Sequence, residues 1–323
     1  MTSSEVLATI PVDMEPGRVA IAADGSRAYV AMTRTATSGP GLGAIAVIDT
    51  AANAVIATIP LGSMPAEVVV SPDGRALYVP GWDGPNVRGV LSIIDTTTHT
   101  VTDSVVVSGR GGGPKGAAVT PDGTRVYVST DNEVDTPGER GTVSAVDTTT
   151  RAIVATIAIN PFPSGVGITP DGRRVYALDS ENDPAVIDTA THEAVFPFLS
   201  SPVGDRIAFT PDGTLAYMVK DAETMIIAIE IATNHLVTIL DTGNGLATDV
   251  AITPDGRLVY VTDRTFRLIS VLEAGVADKP ATHPVHWSGT ANGIAIMPDG
   301  RTAYVTDRMS KAVRVIPVGR EDG

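Results

Sequence analysis

Seven or eight positions ahead of a series of turn glycines, the chain carries a set of polar and charged residues: Arg18, Glu67, Lys115, Ser164, Asp205, Arg206, Thr248, Asp249 and Asn292. Arg18, Lys115 and Arg206 are of the types that fix an anionic group. Asp249, Asp205 and Glu67 can move a proton, and Ser164, Thr248 and Asn292 offer neutral hydrogen bonds. Charged groups converging on a concave mouth are unfavourable unless paired or used, so the set reads as a ligand site. The competing reading is a ring of ion pairs across a wet channel, Arg18 with Glu67 and Arg206 with Asp249.

Other residues join this set on weaker grounds. The stretch THPVHWSGT brings His286, a general base or metal ligand near neutral pH, beside Trp287. With Trp82, Trp287 is a candidate aromatic contact for a ligand. SGRGGGPKG places Arg110 and Lys115 among five glycines, where free amides and two cations can cradle a carboxylate or phosphate. Asp131, Glu133, Asp179 and Glu181 are hard-oxygen candidates for Ca²⁺ or Mg²⁺. Their runs DNEVD and DSENDP complete no calcium-loop motif, and a solvated acidic face is the competing reading. No organic cofactor is predicted.

Several chemistries are excluded. The 323 residues contain no cysteine, so there is no thiol nucleophile, disulfide or thiolate metal site. G-x-S-x-G, H-E-x-x-H, Walker and C-x-x-C-H patterns are absent. A net charge of −14 argues against nucleic acid or an anionic membrane surface as partner, leaving a small-molecule ligand or a protein. The N-terminal stretch has no basic region followed by an apolar run, and no segment is long enough to span a bilayer. The expected location is cytoplasmic, or secreted if a leader has been removed.

The elements that must hold these residues are legible as a repeat. Pro-Asp-Gly turns end at Gly74, Gly123, Gly172, Gly213, Gly256 and Gly300, with a variant at Gly25. Four residues after each stands one of the chain's seven tyrosines: Tyr29, Tyr78, Tyr127, Tyr176, Tyr217, Tyr260 and Tyr304. They are expected to cap the sheet cores, rings buried and hydroxyls near polar partners. A short strand with large aliphatics two residues apart precedes each turn, and two more strands follow the tyrosine strand. Four strands per unit of about 45 residues predict a propeller blade. The chain is thus all-β, one domain over 1–323, a seven-bladed β-propeller with four antiparallel strands per blade. The seventh unit lacks its fourth strand, and SEVLATIPV near the N-terminus matches the fourth strands elsewhere. The N-terminal strand is therefore expected to complete the last blade.

SPDGRALYV at 71–79, followed by SIIDTTTHTV at 92–101, resembles the YVTN family of β-propeller repeats. The resemblance covers essentially the whole chain, with YVTN itself reduced to YVTD at 260–263 and 304–307. It implies the fold and says little of function, since the repeated residues are those that build blades.

In such a ring the Pro-Asp-Gly and Asp-Thr turns occupy one face, and the irregular loops and polar set the other. Loops 33–43, 81–89 and 131–141 are expected either to form a rim over the opening or to be tolerated insertions. The expected function is a small-molecule enzyme of the lyase, isomerase or hydrolase type. It would act on an anionic or zwitterionic substrate at the central pocket of this top face, with a cyclic ester as one substrate class by analogy with other propeller enzymes. The alternatives are ligand binding without chemistry and a protein-interaction scaffold.

Overall fold

The computed structural model describes residues 6–34, 43–84, 86, 88–131, 140–197, 204–220, 224–241, 246–265, 268–275, 285–286 and 289–319. Within them the regular secondary structure is β-strand. Seven separate antiparallel sheets follow one another, as the repeat spacing predicts. Blade 1 runs outward from the channel through Glu15–Ile21, Arg27–Thr33, Gly43–Asp49 and Ala54–Leu61. The other blades repeat this order. The inner strand of blade 2 is broken into Met64–Pro65 and Val69–Val70, and Glu67 stands in the break.

The ring closes as the N-terminal sequence implies. Ala8–Pro11 pairs with Ala312–Pro317, Ile10 facing Val313, and forms the outer strand of blade 7. Ile10 is 1% exposed and packs with Val12 and Met14 into the cluster between blades 7 and 1. The first strand therefore joins the two ends of the chain through both hydrogen bonds and apolar burial.

Among the described residues there is no central core. Alternating side chains on each strand serve two neighbouring sheets, so the apolar residues collect in seven clusters, each between adjacent blades. The cluster between blades 1 and 2, for example, joins Tyr29, Val47, Leu77 and Ile94. The channel is left free for polar groups.

The recurrent residues have local reasons. Each turn glycine has a φ near +70°, open to glycine at little cost, Gly25 at 71° and Gly74 at 72° among them. The preceding aspartate closes the turn: Asp122 Oδ1 accepts from the hydroxyl of Thr120 at 2.5 Å and the amide of Thr124 at 3.0 Å. These bonds hold the Asp122 carboxyl below its ordinary pKa.

The tyrosines pin one blade to the next. Tyr304 of blade 7 donates to Asn53 Oδ1 of blade 1 at 2.7 Å, and Tyr176 of blade 4 to Asn234 of blade 5 at 2.5 Å. Tyr217 and Tyr260 instead accept from the amides of Gly275 and Gly319, at 2.8 and 2.9 Å. Asn53 and Asn234 adopt left-handed backbone in tight turns, as do His99 and His192 at the matching positions of blades 2 and 4. His192 lies 6.3 Å from the ring of Tyr127, so this histidine belongs to the scaffold.

Candidate functional site

Two consecutive residues of one strand cannot ordinarily face the same side. Bulges remove that restriction here. In the inner strands of blades 1, 3, 4, 6 and 7 the register slips between Pro16 and Val19, Pro114 and Gly116, Pro163 and Val166, Ala247 and Asp249, and Ala291 and Gly293. Arg18, Lys115, Ser164, Thr248, Asp249 and Asn292 stand at these slips, where the extra residue can turn a side chain into the channel.

Seven positions before the turn glycines the structure forms a ring: Arg18, Glu67, Gly116, Gly165, Arg206, Asp249 and Gly293. Two neighbouring cation–anion pairs are separated by two glycines on one side and one on the other, and the glycines make room for them. A Cβ on Gly116 would lie 3.1 Å from Glu67 Oε2, and one on Gly165 would lie 2.3 Å from the carbonyl of Asp205 and 3.3 Å from Arg206 Nη1.

Arg18 Nη1 lies 3.1 Å from Asp249 Oδ2 and donates to the carbonyls of Thr248 and Asn292 at 3.0 Å each. Asp249 also accepts from the amides of Val250 and Ile294, so both its oxygens are engaged. Arg206 Nη1 donates to the carbonyl of Asp205 at 2.8 Å, while its Nε has no hydrogen-bond partner among the described residues. Burial, and then the charge of Arg18, lower the pKa of Arg206. Glu67 accepts from the amide of Ala117 at 3.2 Å. Burial raises its carboxyl above the ordinary value, against the opposing pull of Arg206 and Arg18.

Two cavities share this ring. A funnel of about 630 Å³ on the top face is lined by Lys115, Asp131, Ser164 and Asp205, with Pro114, Pro161, Phe162 and Pro163 beside them. A smaller cavity of about 180 Å³ contains Glu67 and Asp249. Arg18 and Arg206 line both.

The structure thus brings together Arg18, Glu67, Arg206 and Asp249, with Lys115, Ser164 and Asp205 on the funnel wall. The ion pairing differs from the sequence expectation, since Arg18 joins Asp249 rather than Glu67. Thr248 is 5% exposed, its hydroxyl 2.8 Å from that of Thr262 and donating to Ala291, and Asn292 offers Arg18 its carbonyl. Both serve to place the arginine. Lys115 pairs with Asp131 at 2.6 Å. Asp179 is 1% exposed and accepts from Phe162, Glu181 and Asn182, so it caps a top-face turn.

The remaining candidates lie away from the ring. Trp82 pairs with Met64 at the far end of its strand, close to Gly113. The glycine loop around Arg110 is drawn together by Ser108, which accepts from Gly89 and donates to Gly112. His286 stands in the outermost strand of blade 6, with two strands between it and the channel-lining strand. The side chains of Arg110 and His286, and Glu133, Trp287 and most of loops 33–43 and 131–141, lie outside the described residues. Among the described residues no three His, Asp or Glu groups converge as metal ligands, and no helix is long and apolar enough to cross a membrane.

Sequence reasoning missed the apolar side of the funnel. Its signal was the triplet Pro161-Phe162-Pro163, in a chain with five phenylalanines.

Comparison with known proteins agrees with this architecture. Residues 166–323 match the family described as "Lactonase, 7-bladed beta-propeller". No curated protein matches the chain significantly. Among solved structures, Kuenenia stuttgartiensis Hydrazine Synthase superposes with a TM-score of 0.75 at 20% identity, covering 96% of this chain and 97% of that one. At that identity the likeness shows the fold alone. The expected resemblance to a propeller repeat family is met at the level of the fold, and the matched family carries the lactonase description over the last four blades.

Proposed function

We propose that the funnel is the site of a small-molecule enzyme, most simply a hydrolase acting on a cyclic or simple ester that carries an anionic group. The observation that carries this reading is the pair of guanidinium groups, Arg18 and Arg206, held by main-chain carbonyls where the funnel meets the inner cavity. The lactonase description of the family matched by residues 166–323 supports an ester as the first substrate to test.

The chemistry follows from the charges. Attack of water on an ester carbonyl places negative charge on the carbonyl oxygen, and preorganised cationic donors stabilise it more than they stabilise the neutral substrate. Arg206, whose guanidinium lines both cavities, supplies such a donor. Asp205 on the funnel wall takes the proton of the attacking water. The new C–O bond forms as the carbonyl π pair moves onto oxygen; the carbonyl then re-forms as the ester C–O bond breaks, and the departing alkoxide takes up a proton. Glu67, in the inner cavity that Arg18 and Arg206 also line and with its carboxyl raised above the ordinary value by burial, is the group suited to supply it. Asp249, fully engaged, holds Arg18 in place and is a positioning residue.

A second reading, binding without turnover, draws on the same engagement of Asp249. One experiment separates the two: a panel of lactones and carboxylate esters is assayed for acid release with the wild type, Arg206→Gln and Asp205→Asn. Turnover lost in both variants supports catalysis. Thermal stabilisation by the same compounds without acid release supports binding alone.

A further inference from the structure

The funnel has two chemically different sides. Arg18 and Arg206 line its junction with the inner cavity, whereas Pro114, Pro161, Phe162 and Pro163, from blades 3 and 4, form an apolar wall. Phe162 is 48% exposed.

Its backbone is nevertheless fixed. The amide of Phe162 donates to buried Asp179 at 2.9 Å, and its carbonyl accepts from the amide of Ser180 at 3.0 Å. Prolines on both sides restrict φ. Pro163 is itself seated where a Cβ on Gly141 would come within 2.7 Å of its ring, so a larger residue there would displace it. Asn160 donates to the carbonyl of Asp183 at 2.8 Å, which ties down the start of the loop. An exposed aromatic ring on a loop held this firmly leaves apolar surface in water at a rigid place. Ordering it on a ligand then costs little conformational entropy.

We infer that the ligand of this funnel is an amphipathic carboxylate, its anionic end seated on Arg18 and Arg206 and an aryl or alkyl part lying on Phe162 and the neighbouring prolines. This rests on the proposed anion site and adds a class to it: polar sugar acids and free phosphate would meet an apolar wall that they cannot use, whereas an aryl-bearing acid uses both sides. Phe162 is then a specificity-determining residue, distinct from the groups that hold the charge.

The test compares 3-phenylpropionate with propionate by isothermal titration calorimetry, on the wild type, Phe162→Ala and Arg206→Gln. Covering roughly half a phenyl ring corresponds to about a tenfold gain in affinity, so 3-phenylpropionate should bind about tenfold tighter than propionate. Phe162→Ala should abolish that preference, and Arg206→Gln should weaken both acids. If Arg206→Gln fails to fold, Lys115→Gln at the exposed rim replaces it, with a smaller loss for both acids. Equal binding of the two acids, or a preference that survives Phe162→Ala, overturns the amphipathic class while leaving the anion site standing. Binding of neither acid to the wild type overturns both.

Discussion

Arg18 of blade 1 reaches across blade 7 to pair with Asp249 of blade 6 at 3.1 Å, over Gly293, where a Cβ would lie 3.3 Å from Arg18 Cα and 2.8 Å from the carbonyl of Gly17. The pair thus skips a blade, and the glycine between is the condition for it. Both side chains are 14% exposed, so the pair is well shielded from water.

Breaking this pair on one side should be more damaging than removing it whole. Asp249→Asn leaves a shielded guanidinium without its counter-charge and should cost about 3 kcal/mol, read as a lowered denaturation midpoint. The double variant Arg18→Met/Asp249→Leu should recover much of that loss in a double-mutant cycle. Equal losses in the single and double variants would show that the pair does not act as a unit.

Glu67 gives a pH signature with a definite sign. Its folded carboxyl is raised above the unfolded value of 4.5, so the folded state holds the proton more tightly. Its contribution is therefore fully present below pH 4.5 and is lost as pH rises through the folded-state pKa. Glu67→Gln removes this dependence. The variant should gain stability relative to the wild type as pH rises from 4 towards 8, measured by thermal denaturation at matched ionic strength. A difference independent of pH would place the titration elsewhere.

Closure of the ring can be tested at the first strand. Ile10→Ala removes a fully buried side chain from the cluster between blades 7 and 1 and should cost about 3 kcal/mol. Deleting residues 1–11 removes the outer strand of blade 7 altogether, and the whole transition should move down as one step. A truncated chain with the wild-type melting temperature would mean that the strand contributes nothing to closure.

The tyrosine pins should differ according to partner. Tyr304→Phe and Tyr176→Phe each lose a hydroxyl donated to an asparagine of the next blade and should cost about 1 kcal/mol apiece. Tyr217→Phe leaves the amide of Gly275 without its acceptor, so its loss should be at least as large. Urea denaturation of the three variants side by side reads out the comparison.

The fold was legible because it rests on local chemistry repeated seven times. A Pro-Asp-Gly turn, a tyrosine four residues on and strands with alternating aliphatics each specify their own conformation, and recurrence at similar spacing leaves a ring of sheets as the arrangement that buries every face. Even the closing strand could be recognised, since Leu7–Val12 has the same pattern as the outer strands it imitates.

The register of the channel residues was legible for the same reason. Their partners were not. Which cation meets which anion depends on reach across the ring, and reach depends on where side chains are missing: Gly293 lets Arg18 pass blade 7, while Gly116 and Gly165 leave space for Glu67 and Arg206 on the opposite side. Sequence distance carries no trace of this, because Arg18 and Asp249 meet only once the ring has closed. The apolar wall is likewise tertiary, since Pro114 and Phe162 come from different blades and share a surface only at the funnel. The repeated unit is written in the sequence because each turn and strand is stabilised within its own few residues. The site arises on closure of the ring, because its energies act between blades and depend on distances that no single repeat contains.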